Sequence, residues 1–156
     1  MLGKTNLVYV FLLLIPIFCV LSCKTKHAAV KKEIVRQPED MDDQITDNIK
    51  AVIQFAKDNN GKINDSIKLS LTGLVASFYD KNDYHNIWSK KEKWLPVADS
   101  LFDFIKNSKY YGLYPSDYHY KDLSALRKKL FEDTLAKTDA IVWTKADLML
   151  RDAFRR

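Results

Sequence analysis

The side chains able to move a proton near neutral pH are few: His27, His85 and His119. Histidine works as a general base when an acid, a nucleophile or a metal lies within hydrogen-bond reach. Asp83 and Asp117 each stand two residues before a histidine, but that spacing matches no triad, and neither His85 nor His119 is assigned catalysis. His27 lies in a polar, basic stretch and reads as solvated. Asp147 and Asp152 share a C-terminal helical segment with Lys145, Arg151, Arg155 and Arg156. Asp147 and Arg151 are spaced i, i+4, an exposed pair worth about 0.2–0.5 kcal/mol. This group reads as a solvated face. Phe78 to Trp88 is the densest aromatic cluster; Tyr84 and Trp88 read as core caps with wet polar ends rather than as a sugar-stacking shelf. Lys90-Lys91-Glu92-Lys93 reads as a soluble loop rather than a lipid contact.

Composition removes whole classes of chemistry. Four glycines (3, 61, 73 and 112) cannot write a dinucleotide fingerprint or a P-loop. The two cysteines, Cys19 and Cys23, both lie near the N-terminus, so the rest of the chain holds no thiolate zinc site, disulfide or cysteine nucleophile. No H-E-x-x-H or G-x-S-x-G occurs. No catalytic, cofactor-binding or metal-ligating residue is therefore assigned, and no cofactor is expected. The formal charge is +5, from 25 bases and 20 acids. Acids interleave with bases nearly throughout, which argues against a nucleic-acid partner.

The N-terminus reads as an address. Lys4 precedes an apolar run over residues 7–21, too short for a spanning helix and laid out like a secretory signal. The run ends Val20-Leu21-Ser22-Cys23, which resembles a bacterial lipobox. Residues 1–22 are expected to be the leader, and Cys23 the lipidated residue that anchors the chain to a membrane. Lys24, where Asp would retain the protein at the inner membrane, points to the outer membrane, with the domain on the periplasmic side. Residues 23–42 are polar and aperiodic and are expected to form a flexible tether.

From residue 43 a helical period takes over. The first helix carries Ile45, Ile49, Val52, Ile53 and Ala56 inward and stops at Asn59-Asn60-Gly61. A second is expected from Asn64 or Asp65, with Ile67, Leu71, Leu74, Val75 and Phe78 inward. A third opens at Pro96, with Val97, Leu101, Phe104, Ile105 and Ser108 inward, and ends at a Gly112 C′ residue. Asp122 is expected to cap a helix carrying Leu123, Leu126 and Leu130. The last segment starts near Thr138 and has no stop signal. No stretch alternates as a strand. The expectation for 43–156 is all-α, a compact bundle of four to five helices, with an exposed apolar side on the last one.

Several residues together carry a family likeness. Phe78-Tyr79, Tyr84, Ile87 and Trp88 lead to a helix ending Tyr111-Gly112-Leu113-Tyr114-Pro115-Ser116-Asp117-Tyr118-His119. This pattern resembles the helical scaffold domain of large bacterial L,D-transpeptidases. Asp147 to Phe154 resembles a further family segment, with Arg151 where Thr is common. His85-Asn86-Ile87 departs from the usual Pro before the Trp. The likeness covers about residues 63–154, and Gly-Leu-x-Pro-x-Asp-Tyr-His is its most specific part. It implies a cell-envelope location and a role in peptidoglycan cross-linking and cell-wall biogenesis. Chemistry in that family uses a cysteine in a later β-rich domain that this sequence does not contain, so no catalytic residue carries over. The implied partner is peptidoglycan, reached through catalytic and binding domains beyond this chain; the sequence assigns no oligomeric state. The expectation is thus the N-terminal scaffold portion of an L,D-transpeptidase, cut before its catalytic domain and inactive alone. The rival is a stand-alone envelope lipoprotein that binds peptidoglycan or a partner protein. The first predicts an exposed apolar patch at Leu148, Leu150 and Phe154; the second predicts a last helix that closes its own bundle.

Overall fold

A computed structural model describes residues 34–156. The leader, Cys23 and the tether as far as residue 33 lie outside the described residues. Helix α1 (Met41–Asp58) buries Ile45, Ile49, Val52, Ile53 and Ala56, the stripe its period announces, together with Met41. It stops where the sequence places the stop: Asn60 and Gly61 both have positive φ, and the Gly61 N–H returns to the Ala56 carbonyl at 2.8 Å. A Cβ on Gly61 would lie 2.5 Å from Thr72 Oγ1 and 2.7 Å from the Leu69 carbonyl oxygen, so only glycine fits.

Helix α2 (Thr72–Lys81) starts later than the expected Asn64 or Asp65. The Asn64 side chain instead closes a local turn, accepting from the Ser66 and Ile67 N–H groups at 2.8 and 2.7 Å. The chain then folds back in a Lys62–Lys68 bridge. The Ser70 and Leu71 N–H groups are taken by a side chain of the last helix, which holds this stretch out of helical geometry. Leu74, expected inward, is exposed.

A hairpin of β1 (Ser89–Lys90) and β2 (Lys93–Trp94) follows. Its turn residues Lys91 and Glu92 have φ of 45° and 61°, the signature of a tight two-residue connection. The basic run is thus a hairpin turn, which its lack of alternation did not announce. Helix α3 (Pro96–Asn107) starts at the expected proline. Its buried stripe is Ala98, Phe102 and Ile105; Val97 and Phe104, expected inward, are 54% and 45% exposed. Gly112 takes the expected left-handed conformation after a short 3-10 turn.

A second 3-10 turn (Pro115–Tyr118) delivers His119 at φ 59°. Helix α4 (Tyr120–Glu132) begins there, so His119 occupies the N-cap position and Asp122 lies inside the first turn instead of capping it. Leu123 and Leu130 are buried as expected. One helical turn, α5 (Thr134–Lys137), is capped by Asp133, and α6 (Ala140–Arg155) by Asp139.

The fold is all-α apart from the hairpin. Its axis is α6, which contacts each of α1 to α5. From Ala140 to Ala153 only Lys145 escapes full burial. The expected exposed apolar side on this helix is absent: Leu148 and Leu150 are fully buried, and of the three patch residues only Phe154 is exposed, at 56%. An apolar surface this broad is covered because the other helices wrap it. The expected flexible tether also ends early. Val35 is buried, its N–H bonds the Thr138 carbonyl at 2.9 Å, and Ile34 bridges Asp139. Residues 34–42 belong to the packed fold, because Val35 and Met41 have apolar surface to bury. Among the described residues no helix is long and apolar enough to cross a membrane.

Candidate functional site

The polar chemistry of the core converges on α6. Asp147 and Asp152 are five residues apart, about 140° around the helix, so they face different neighbours. Both are buried, at 1% and 0% exposure. The solvated-face reading is therefore corrected: the covering helices leave these carboxylates no water, and each is satisfied by partners distant in sequence.

Asp147 accepts from the Tyr79 hydroxyl on α2 and from the backbone N–H groups of Ile87 and Trp88, at 3.2 and 3.0 Å. Tyr79 is itself fully buried. Burial pushes the Asp147 carboxyl up to about 6, against the pull of its three donors. Burial, and then the nearby Asp147, push the Tyr79 hydroxyl well above its ordinary range. The expected Asp147–Arg151 pair is not made. Arg151 instead lies over the Phe78 ring, its guanidinium 3.5 Å from the centroid, with Phe154 at 5.7 Å.

Asp152 accepts from the Ser70 and Leu71 N–H groups, at 3.0 and 2.7 Å, and from His119 Nε2 at 2.8 Å. Burial opposes ionisation, but His119 and the two amides outweigh it and hold the carboxyl below its ordinary value. The partner of His119 is thus Asp152, a pairing that sequence spacing does not suggest. Asp117, the sequence neighbour, offers its backbone carbonyl to Arg156. His85 is exposed, and its Nδ1 lies 3.4 Å from Thr46 Oγ1.

The 84–91 segment is fastened from two sides. Asp147 holds its N–H groups from α6. Asp42 at the start of α1 accepts from Asn86 Nδ2 at 3.2 Å and from the Lys91 N–H at 3.1 Å. Trp88 is buried and tilts against Phe154 with ring centroids 5.8 Å apart. It is a core cap as expected, but its indole N–H is buried without a partner, not wet. Tyr84 is half-buried and donates to Asp80 at 2.8 Å.

A His–Asp pair resembles the orienting half of a hydrolytic triad. The hydrogen bonds of His119 among the described residues include no Ser, Thr or Cys side chain. No group of three or more His, Cys, Asp or Glu residues among the described ones is arranged to hold a metal. The two carboxylates tie α6 to α2, to the 70–71 and 87–88 segments and to the start of α4. They are braces between segments far apart in sequence, since each satisfies several donors internally.

The fold is therefore an all-α domain, one hairpin apart, built around a central helix whose two buried carboxylates are satisfied internally. The chain belongs to the Scaffold domain family, whose model matches residues 73–156. The match runs from the second residue of α2 to the C-terminus and contains Asp147, Asp152 and His119, while Ser70 and Leu71, whose amides Asp152 accepts from, lie just before it. Neither a curated protein nor a solved structure matches the chain.

Proposed function

We propose that this chain is the scaffold portion of a cell-envelope L,D-transpeptidase, a non-catalytic support for peptidoglycan cross-linking held at the membrane through lipid on Cys23. One observation carries the reading. The two segments that resemble that enzyme family, Gly112 to His119 and Asp147 to Phe154, fall within the Scaffold domain match and dock on each other through His119 and Asp152. The signal-like run and lipobox, read independently of that resemblance, agree with an envelope location. In this reading the domain works by rigidity: its distinctive polar residues are spent on internal braces, and the acyl-transfer groups belong to a separate catalytic domain.

A second reading has its own observation in favour. The burial of Leu148 and Leu150 within the bundle is what a stand-alone envelope lipoprotein requires. The two readings separate on one experiment. The coding locus is read past codon 156 and the native protein is sized by immunoblot. A product of roughly three times the mass of this chain, with a Ser/Thr-His-Gly-Cys motif downstream, supports the transpeptidase scaffold. A product no larger than this chain, 18.1 kDa less the cleaved leader, with a true stop after codon 156, refutes it in favour of the lipoprotein.

A further inference from the structure

A trough runs along the hairpin, and neither brace lines it. One part, of about 270 Å³, is lined by Trp94, Trp143, Leu130, Phe131, Lys93 and Lys137. It adjoins a second part, of about 540 Å³, bordered by Pro38 and the hairpin turn, and the two share Glu92, Lys93, Trp94 and Lys137.

The accessible aromatic lining is Trp94 and Phe131, with Trp143 and Leu130 buried beneath them. The Trp94 and Trp143 rings pack with centroids 6.4 Å apart, and the Trp143 indole N–H donates to the Lys137 carbonyl at 2.8 Å. Arg127 braces one wall by bonding Asp99 at 2.8 Å and lying over the Phe131 ring at 5.2 Å. The rim is basic. Lys91 is engaged by Glu39 at 3.9 Å, and Asp99 by Arg127. That leaves three exposed lysines, Lys90, Lys93 and Lys137, facing one glutamate, Glu92; none of the three makes an ion pair among the described residues.

We infer that this trough binds a peptide segment carrying carboxylates on either side of an aromatic or large apolar side chain. The charge of the rim selects an anion, and the indole floor selects an apolar group between the charges. The two joined compartments, which share four lining residues, suit an extended chain of several residues. The inference rests on the trough alone and does not depend on the transpeptidase reading.

The chain reports on its own occupancy, because its three tryptophans are Trp88, Trp94 and Trp143, and two of them form the trough floor. The full chain is titrated with N-acetyl-Glu-Phe-Glu while tryptophan fluorescence is followed. A saturable change is expected, absent with the neutral N-acetyl-Gln-Phe-Gln amide and reversed by 0.5 M NaCl. The double variant Lys93→Gln, Lys137→Gln is expected to weaken binding roughly two- to thirtyfold, the effect of losing two exposed ion pairs. Its melting temperature should match the parent, since both side chains are exposed. The single variant Lys90→Gln should weaken binding less, and it serves if the double variant fails to fold. Equal response to the neutral peptide, or unchanged affinity in the variants, overturns the inference. So does a response to monomeric dihexanoyl phosphatidylglycerol without one to the peptide, which would make the trough a lipid-headgroup site.

Discussion

Asp152→Ala is expected to be the most damaging single truncation of a polar side chain in this fold. The carboxylate satisfies two backbone N–H groups and His119 at once. Ser70 is exposed, so water can replace part of what its amide loses. Taking about 1 kcal/mol for each amide and about 2 kcal/mol for the charge-assisted bond to histidine gives a loss of about 4 kcal/mol. Domains of this size carry about 5–15 kcal/mol of stability in total. With a urea slope near 2 kcal/mol per M, the unfolding midpoint should fall by about 2 M. The assay is urea unfolding of the full chain followed by tryptophan fluorescence. A double-mutant cycle with His119→Ala should return about 1–2 kcal/mol of coupling, because that bond is lost only once. The pH dependence has a definite sign. A carboxyl held below its ordinary value contributes stability that is present above the unfolded-state value and lost as the pH falls through the folded-state value. The gap between parent and variant should therefore be constant from about pH 5 upward and close in stronger acid. A loss under 1 kcal/mol at pH 7, or strictly additive single and double variants, would refute the bracing argument.

Three further outcomes follow from the same geometry. Asp147 titrates near 6 when folded, against 3.8 ordinarily, so the folded state holds its proton more tightly; the stability this contributes is full in acid and is lost as the pH rises from about 4 to 6. Unfolding free energies of the parent and Asp147→Asn across pH 4–7 should converge or cross by up to about 3 kcal/mol, and a pH-independent difference would contradict the burial argument. Gly61→Ala should cost about 2–4 kcal/mol in a thermal melt, because the left-handed backbone and the 2.5 Å approach to Thr72 Oγ1 act together; a neutral result would mean the turn moves freely. Cys23→Ala should release the protein from membranes and change its electrophoretic mobility, and unchanged partitioning in cell fractionation would end the lipobox reading.

Much of the bundle is legible in local rules. The stripe of α1, the proline that opens α3, Gly112 and the start of α6 near Thr138 follow from helical period, a fixed proline φ and a glycine tolerant of positive φ. The errors have a common cause. Asn64 looks like a helix cap because its side chain does cap a turn, but the helix beyond it is delayed by Asp152, a residue 81 positions from Leu71. Val97 and Phe104 satisfy a helical stripe, yet the neighbours of α3 cover the stripe of Ala98, Phe102 and Ile105 instead. Periodicity reports that one face is apolar and does not report which neighbours arrive to cover it.

Composition and short-range spacing suffice for the helical class, most helix positions and the lack of cysteine beyond residue 23. They do not suffice for α6. In sequence its aspartates and arginines look like a solvated face, and its leucines like an unpartnered one. In the fold it is the axis, with Asp147 and Asp152 buried against hydroxyl, amide and imidazole donors from 33 to 82 residues away. A buried carboxylate is stable only when such donors converge on it, and which donors converge is a property of the packed bundle.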